Sequence, residues 1–357
     1  MAGPRGYSSY RGRVSKLKVA LAVVLVLVIL AAGAVIYLQR YVVYDEEGRP
    51  MLMAPWQGED EPPLTGQTPS TQPEDPVVII QDPVEPPPEE TPEAVEIRAF
   101  SLPAEALTAA SWEAALAAKP ETCNAVSLTM KDDSGRIYFD TAGAVSSKSL
   151  KTEADTAAAL AAVTAQEELY TIARLGCLHD SQAANADVEG MGLKNTGGYI
   201  FYDKHNTQWL DASKPGTREY LSAFAKELAA LGFDEILLTS VSYPTEGKLN
   251  KVAYGEIPKE DNLAGLAEAL HAALEGTDTK LSIEVPQAVI TEGRDELSGL
   301  DLAKLAPHID RVYAEATAEN VETLRAAVGA VSETISFVPE LAADGPTITG
   351  NRLFTAS

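Results

Sequence analysis

From residue 94 onward the chain alternates short apolar runs with longer amphipathic, alanine-rich stretches. The short runs predict strands near 96–100, 124–130, 170–175, 235–239, 280–285, 311–314, 334–338 and 352–356. Apolar positions at helical spacing predict helices at 111–119, 152–168, 217–231, 263–274, 301–306 and 319–328. Strands that alternate with helices imply parallel strands joined by crossovers, an α/β fold. Eight such strands over 94–357 match the size of a (β/α)8 TIM-type barrel. The last connection, from Glu340 to Gly350, is too short for an ordinary helix, so imperfect closure is expected there.

Upstream, the pattern breaks down in two ways. Residues 19–38 carry no charge, long enough for a helix across a bilayer core. Arg5, Arg11, Arg13, Lys16 and Lys18 precede this stretch and Asp45, Glu46 and Glu47 follow it, which predicts a cytoplasmic segment 1–18 and an extracytoplasmic C-terminal domain. The competing reading is a cleaved signal peptide, because Ala32-Gly33-Ala34 is a small-residue cleavage pattern. The apolar run continues through Val35, Ile36, Tyr37 and Leu38, which favours an uncleaved single-pass anchor in the cell membrane. Residues 39–93 are rich in Pro, Glu, Thr and Gln and read as an extended linker with one apolar island, Val77 to Ile80.

Composition narrows the partners. A net charge of −24, with only 28 Lys and Arg among 357 residues, argues against nucleic acid, whose phosphates need a basic surface. Cys123 and Cys177 fall at opposite ends of neighbouring strands, too far apart for a bridge that needs Cα atoms within about 7 Å, so free thiols are expected. His179, His205, His271 and His308 show no metal-ligand spacing, and no glycine-rich run opens a helix after a strand. No cofactor is called for.

Several short segments carry a resemblance. Asn124-Ala125-Val126 leading to Lys131-Asp132-Asp133-Ser134-Gly135, then Ile172-Ala173-Arg174, Trp209-Leu210-Asp211 and Leu231-Gly232-Phe233-Asp234-Glu235-Ile236 occur in that order. In this order they resemble a family of bacterial extracytoplasmic TIM barrels classed with the glycoside hydrolases. The resemblance implies a barrel acting on, or binding, cell-surface polysaccharide. The departures fall on the chemistry. The family's acid on the second strand is Thr129 here, its acid on the fourth is Thr239, and the Tyr and Arg that follow are Ser240 and Ser242. An acidic position on the fifth strand survives as Glu284. The chain therefore reads as a degenerate member with weakened or lost catalysis, the alternative being a pseudoenzyme that binds a glycan or a protein of the envelope.

Period-two alternation decides which side chains share the barrel interior. If Thr239 points inward as the family's acid does, Leu237, Val241, Thr129, Lys131, Ile172, Arg174, Ser282 and Glu284 do so as well. That predicts a mouth with one carboxylate, Glu284, between the cations Lys131 and Arg174, a setting that favours its ionised form. Glycoside hydrolysis usually needs two carboxyl groups. Glu315 and Glu340, near the ends of later strands, are the expected partners because barrel chemistry sits at strand C-termini. Asp132, Asp203 and Glu246 in adjoining loops are weaker candidates. The structural alternative for Glu284 is a salt bridge with Arg174 or Lys131. Substrate contacts are expected from Lys131, Asp132, Arg174, Trp209, Asp211, Thr239 and Tyr243. For Asp211 a capping role competes with ligand contact, and for Trp209 so does membership of the loop's own small core.

Overall fold

A computed structural model describes residues 96–102, 114, 116–117, 119–342 and 348–355, with two short strands further upstream. The apolar stretch 19–38, the island 77–80 and most of the expected helix 111–119 lie outside the described residues. Among the described residues no helix is long and apolar enough to cross a membrane. The chain divides into two units, Met1–Pro88 and Glu89–Ser357. In the first, β1 (Val42–Tyr44) and β2 (Pro50–Leu52) pair antiparallel.

In the second unit β3 (Arg98–Leu102), β4 (Ala125–Lys131), β5 (Tyr170–Gly176), β6 (Glu235–Thr239) and β7 (Lys280–Glu284) are followed by a two-residue hairpin, β8 (Arg294–Asp295) and β9 (Leu300–Asp301). Then come β10 (Arg311–Glu315), β11 (Ser336–Ala342) and β12 (Arg352–Thr355). The barrel closes in the order β10, β11, β12, β3, β4, β5, β6, β7, and every neighbouring pair is parallel. Each of the eight expected strands is present. The imperfect closure expected near Glu340 does not occur: β12 pairs with β11 through Glu340 and Leu353 and with β3 through Leu353 and Ala99. A parallel crossover needs enough chain to return along the sheet, and a helix is only the commonest way to supply it.

Helices α1 (Thr156–Thr164), α3 (Pro215–Ala230), α4 (Lys259–Ala273) and α7 (Val321–Val331) fall within or beside their expected ranges. Two short ones, α2 (Ser181–Ala186) and α5 (Gln287–Glu292), sit in loops after β5 and β7 where no helical period was long enough to read; α6 (Leu302–Leu305) is one turn. Pro215 opens α3, where its missing N–H costs nothing, and Leu221, Phe224, Ala225 and Leu228 form its buried face. Cys123 and Cys177 are free and buried. Burial pushes the Cys177 thiol up to about 12, so it is not a nucleophile.

Alternate strand residues separate into two cores. Ile97, Ala99, Ala125, Ile172, Leu237, Tyr313, Val338 and Leu353 fill the barrel interior. Val126, Leu128, Ala173, Ile236, Leu238 and Ile283 face the helices. The N-terminal end of the interior is plugged by charge. Glu235 is fully buried and accepts hydrogen bonds from Arg311 Nη1 at 2.7 Å, Tyr170 Oη at 3.0 Å and Tyr313 Oη at 2.8 Å. Burial, then Glu235, raise both tyrosine hydroxyls well above their ordinary range, so they act as donors at all accessible pH.

Removing the glutamate strands Arg311 and two hydroxyls in the interior. Glu235→Ala is expected to lower the free energy of urea unfolding by about 3–5 kcal/mol, the cost of breaking a buried pair. Glu235→Ala combined with Arg311→Met should recover most of it. A loss below about 1 kcal/mol for the single variant, near the value of an exposed pair, would contradict this role.

Candidate active site

Three glutamates lie at or near the C-terminal ends of neighbouring strands: Glu284 and Glu315 end β7 and β10, and Glu340 sits two residues before the end of β11. Tyr313 of β10 lies beside Glu284 of β7, and Glu315 beside Glu340 of β11. Because Tyr313 and Val338 belong to the interior core, the period of two turns Glu315 and Glu340 inward as well. Arg174, on β5, reaches across to two of them: Nη1 contacts Glu340 Oε1 at 3.0 Å and Nη2 contacts Glu284 Oε2. One guanidinium thus holds both carboxyl groups. Glu340 is buried, its side chain 5% exposed, whereas that of Glu284 is 34% exposed.

The protonation of Glu284 differs from the sequence expectation. Its carboxyl is pushed up to about 7, foremost by burial and further by the charges of Glu340 and Asp133, against the lowering effect of Arg174. The expected second cation, Lys131, is not in the mouth. The register of β4 against β5 slips between Thr129 and Lys131, so that Thr129 lies beside Arg174 but Lys131 beside Leu175, which packs on the helix side. This bulge sends Lys131 outward, where it is fully buried and pairs with Asp180 at 2.9 Å. Asp180 also caps α2 through the Ala183 N–H and accepts a hydrogen bond from Tyr220 Oη.

The residues after the bulge divide the remaining work. Asp132 folds the turn, accepting from Ser134 N, Ser134 Oγ and Arg136 N through one oxygen and from Tyr138 Oη through the other. These hydrogen bonds hold its carboxyl below the ordinary range although burial acts the other way. Gly135 has φ +81°, and a Cβ there would sit 2.1 Å from Asp180 Oδ1, so the turn requires glycine. Asp133 is exposed, and its carboxylate lies beside the ends of β5 and β6. Thr239 Oγ1 donates to its Oδ1 at 3.4 Å. Gly176, paired with Thr239, leaves room for it: a Cβ there would lie 2.9 Å from the same Oδ1. The next residue, Ser240, has φ 51°, a left-handed conformation that is costly for a side-chain-bearing residue and is often found at functional sites.

A cleft of about 560 Å³ opens beside these groups. Glu284, Glu315, Ser240, Ser242, Gln287 and Asp295 are among its walls, and none of the described residues lining it is aromatic. Asp295 is committed to its hairpin, accepting from the N–H groups of Leu297 and Ser298.

Other expected site residues are placed elsewhere. Trp209 is half-buried, donates to Asp203 Oδ2 at 3.1 Å and stacks on His179 with ring centroids 4.4 Å apart, within the loop's own cluster. Asp203 is further held by Thr207 and His205, and Glu246 pairs with Lys204 and His205 at the surface. Asp211 is buried and accepts from Ser213 N, Ser213 Oγ and Tyr243 Oη, while Tyr243 is itself 1% exposed. The structure therefore gathers Glu284, Glu315, Glu340, Arg174 and Thr239, and gives Lys131, Asp132, Asp211 and Tyr243 partners of their own. It adds Asp133 and Ser240. Asp133 was visible in sequence as the second acid of Lys-Asp-Asp-Xaa-Gly, but only the bulge decides which acid reaches the mouth.

Comparison with known proteins agrees with this barrel. The glycoside hydrolase domain of PgaB (BpsB) from Bordetella bronchiseptica is 16% identical over 70% of this chain and 85% of that one, with a TM-score of 0.50, a likeness of fold. A hypothetical protein from Ruminiclostridium thermocellum is 21% identical over 51% of this chain and 96% of that one, with a TM-score of 0.41. The glycoside hydrolase domain of PelA from Pseudomonas aeruginosa is 14% identical over 69% and 83%, with a TM-score of 0.36. No curated protein matches the chain. A family described as "Putative glycosyl hydrolase domain" matches residues 104–314, a stretch that contains Asp133, Arg174, Thr239 and Glu284 and stops one residue short of Glu315. That match covers more than half of the chain, and the protein belongs to this family of glycosyl hydrolase domains.

Proposed function

We propose that the chain is a membrane-anchored, extracytoplasmic glycoside hydrolase acting on cell-surface polysaccharide with weakened catalysis, and that Glu284 is its general acid. The observation that carries this reading is a carboxyl group at the wall of a cleft whose pKa lies near 7. Such a group is partly protonated at neutral pH and can give its proton to a leaving oxygen, and efficiency is greatest when the pKa is near the working pH. The salt bridge to Arg174 that the sequence offered as the structural alternative is present, yet the carboxyl retains its proton to about neutrality because burial and neighbouring carboxylates outweigh the cation.

Weakening follows from what surrounds the acid. Arg174 must release Glu284 for the proton to reach a sugar, and Thr129 and Thr239 stand at the two positions where the resemblance implies acids. The same two facts favour the second reading, a barrel that binds glycan without cleaving it. Anchoring rests on the uncharged run 19–38 with basic residues before it and acidic ones after.

Three measurements bear on this. In a carboxyl ¹³C titration the Glu284 signal should move with a midpoint near 7, and Arg174→Gln should raise that midpoint because the opposing cation is gone; a midpoint near 4.5, the ordinary value, contradicts the acid role. On isolated wall glycans Glu284→Gln should lose about 10²–10⁴ in rate, the contribution of general acid catalysis, whereas a wild type that binds glycan and releases no reducing ends supports the binder. Protease added to intact cells should cut within 39–93 and release the barrel; cleavage only after lysis would place the barrel in the cytoplasm.

A further inference from the structure

We propose that Asp133 is the second catalytic carboxylate of this site, supplied from the loop after β4 to the space beside Thr239 at the end of β6. The inference rests on the hydrolase reading above. Threonine is too short to place a charge where an aspartate at 239 would, but its hydroxyl points into that space, and what it meets there is Asp133 Oδ1 at 3.4 Å. The strand beside it contributes no competing side chain, since Gly176 is its partner in register and a Cβ on that residue would crowd the same oxygen at 2.9 Å. The bulge between Thr129 and Lys131 supplies the reach, because it shifts the chain by one residue just before Asp132 and Asp133 leave the strand.

The alternatives on the strand ends fit less well. Glu340 is nearly closed off from solvent and is held by Arg174. Glu315 is exposed and lines the cleft; Asp133 meets the edge of that cleft through Thr239, the neighbour of the cleft residue Ser240, and it stands with Glu340 among the charges that act on Glu284, as the two members of a pair should. Asp133 forms no ion pair among the described residues, so no cation holds it away from the cleft.

Its exposure to solvent suits a base that holds water. Asp133 accepts a proton from a water whose oxygen bonds to the anomeric carbon. The bond from that carbon to the leaving oxygen breaks, and the leaving oxygen takes the proton of Glu284. Solvent then returns the proton from Asp133 to Glu284, and the net reaction adds one water across the glycosidic bond.

The test uses the full chain and a mixed preparation of bacterial wall glycan and secreted polysaccharide, with reducing ends counted. Asp133→Asn should lose about 10²–10⁴ in rate with an unchanged melting temperature, since the side chain is exposed. Thr239→Asp placed in that variant should recover part of the loss by returning the acid to the strand. If Asp133→Asn keeps the wild-type rate while Glu284→Gln loses it, the hydrolase reading stands and this inference is overturned. A loss that Thr239→Asp does not recover makes Asp133 a structural residue and also overturns it. A wild type that releases nothing overturns both readings together.

Discussion

An ionised side chain inside a closed barrel has no route to water except through the ends of the strands, so it is tolerated only against an opposite charge. Two arginines meet this demand at the two ends of one interior. At the N-terminal end Arg311 faces Glu235 with two tyrosine hydroxyls completing the set, and nothing is left over. At the C-terminal end Arg174 faces Glu284 and Glu340 at once, with Asp133 acting on the same group. Burial foremost, and then the charges of Glu340 and Asp133, outweigh that one cation and leave a proton on Glu284. The first arrangement stabilises the fold and the second creates an acid.

A single slip in register links that electrostatic outcome to the local sequence. Without the bulge in β4, Lys131 would face Arg174 and Glu284 and would favour the ionised carboxylate. With it, Lys131 turns to Asp180 and ties β4 to α2 and α3 through Tyr220. The run Lys-Asp-Asp-Ser-Gly thereby contains a buried ion-pair partner, a turn former, a carboxylate for the mouth and a glycine pressed against Asp180. Bulges are common next to active sites for this reason: one extra residue re-aims a side chain without disturbing the rest of the sheet.

The eight strands were legible because a parallel barrel buries both faces, so each strand stands out as an apolar run bounded by polar turns. Inward parity for Arg174, Leu237, Thr239 and Glu284 followed from the same alternation. Parity failed at Lys131, since a bulge leaves no mark in the hydrophobic pattern, and at Val241, which follows the left-handed Ser240 and packs in the outer core. The proton that Glu284 retains was not legible either. Its proton depends on burial, on Glu340, whose side chain comes from a strand 56 residues further along the chain, and on Asp133 from a loop. Asp211, Tyr243 and Trp209 looked like ligand contacts because short polar and aromatic residues in a loop serve packing and binding with the same chemistry; only their partners tell these uses apart.

The most direct test of the central claim is a crystal structure of the Glu284→Gln protein with a wall-glycan fragment bound. The glycosidic oxygen is expected within hydrogen-bonding reach of residue 284, about 2.6–3.2 Å, in the cleft walled by Ser240, Ser242 and Glu315. A fragment seated instead on the Trp209 loop, with the cleft beside residue 284 filled only by water, would contradict it.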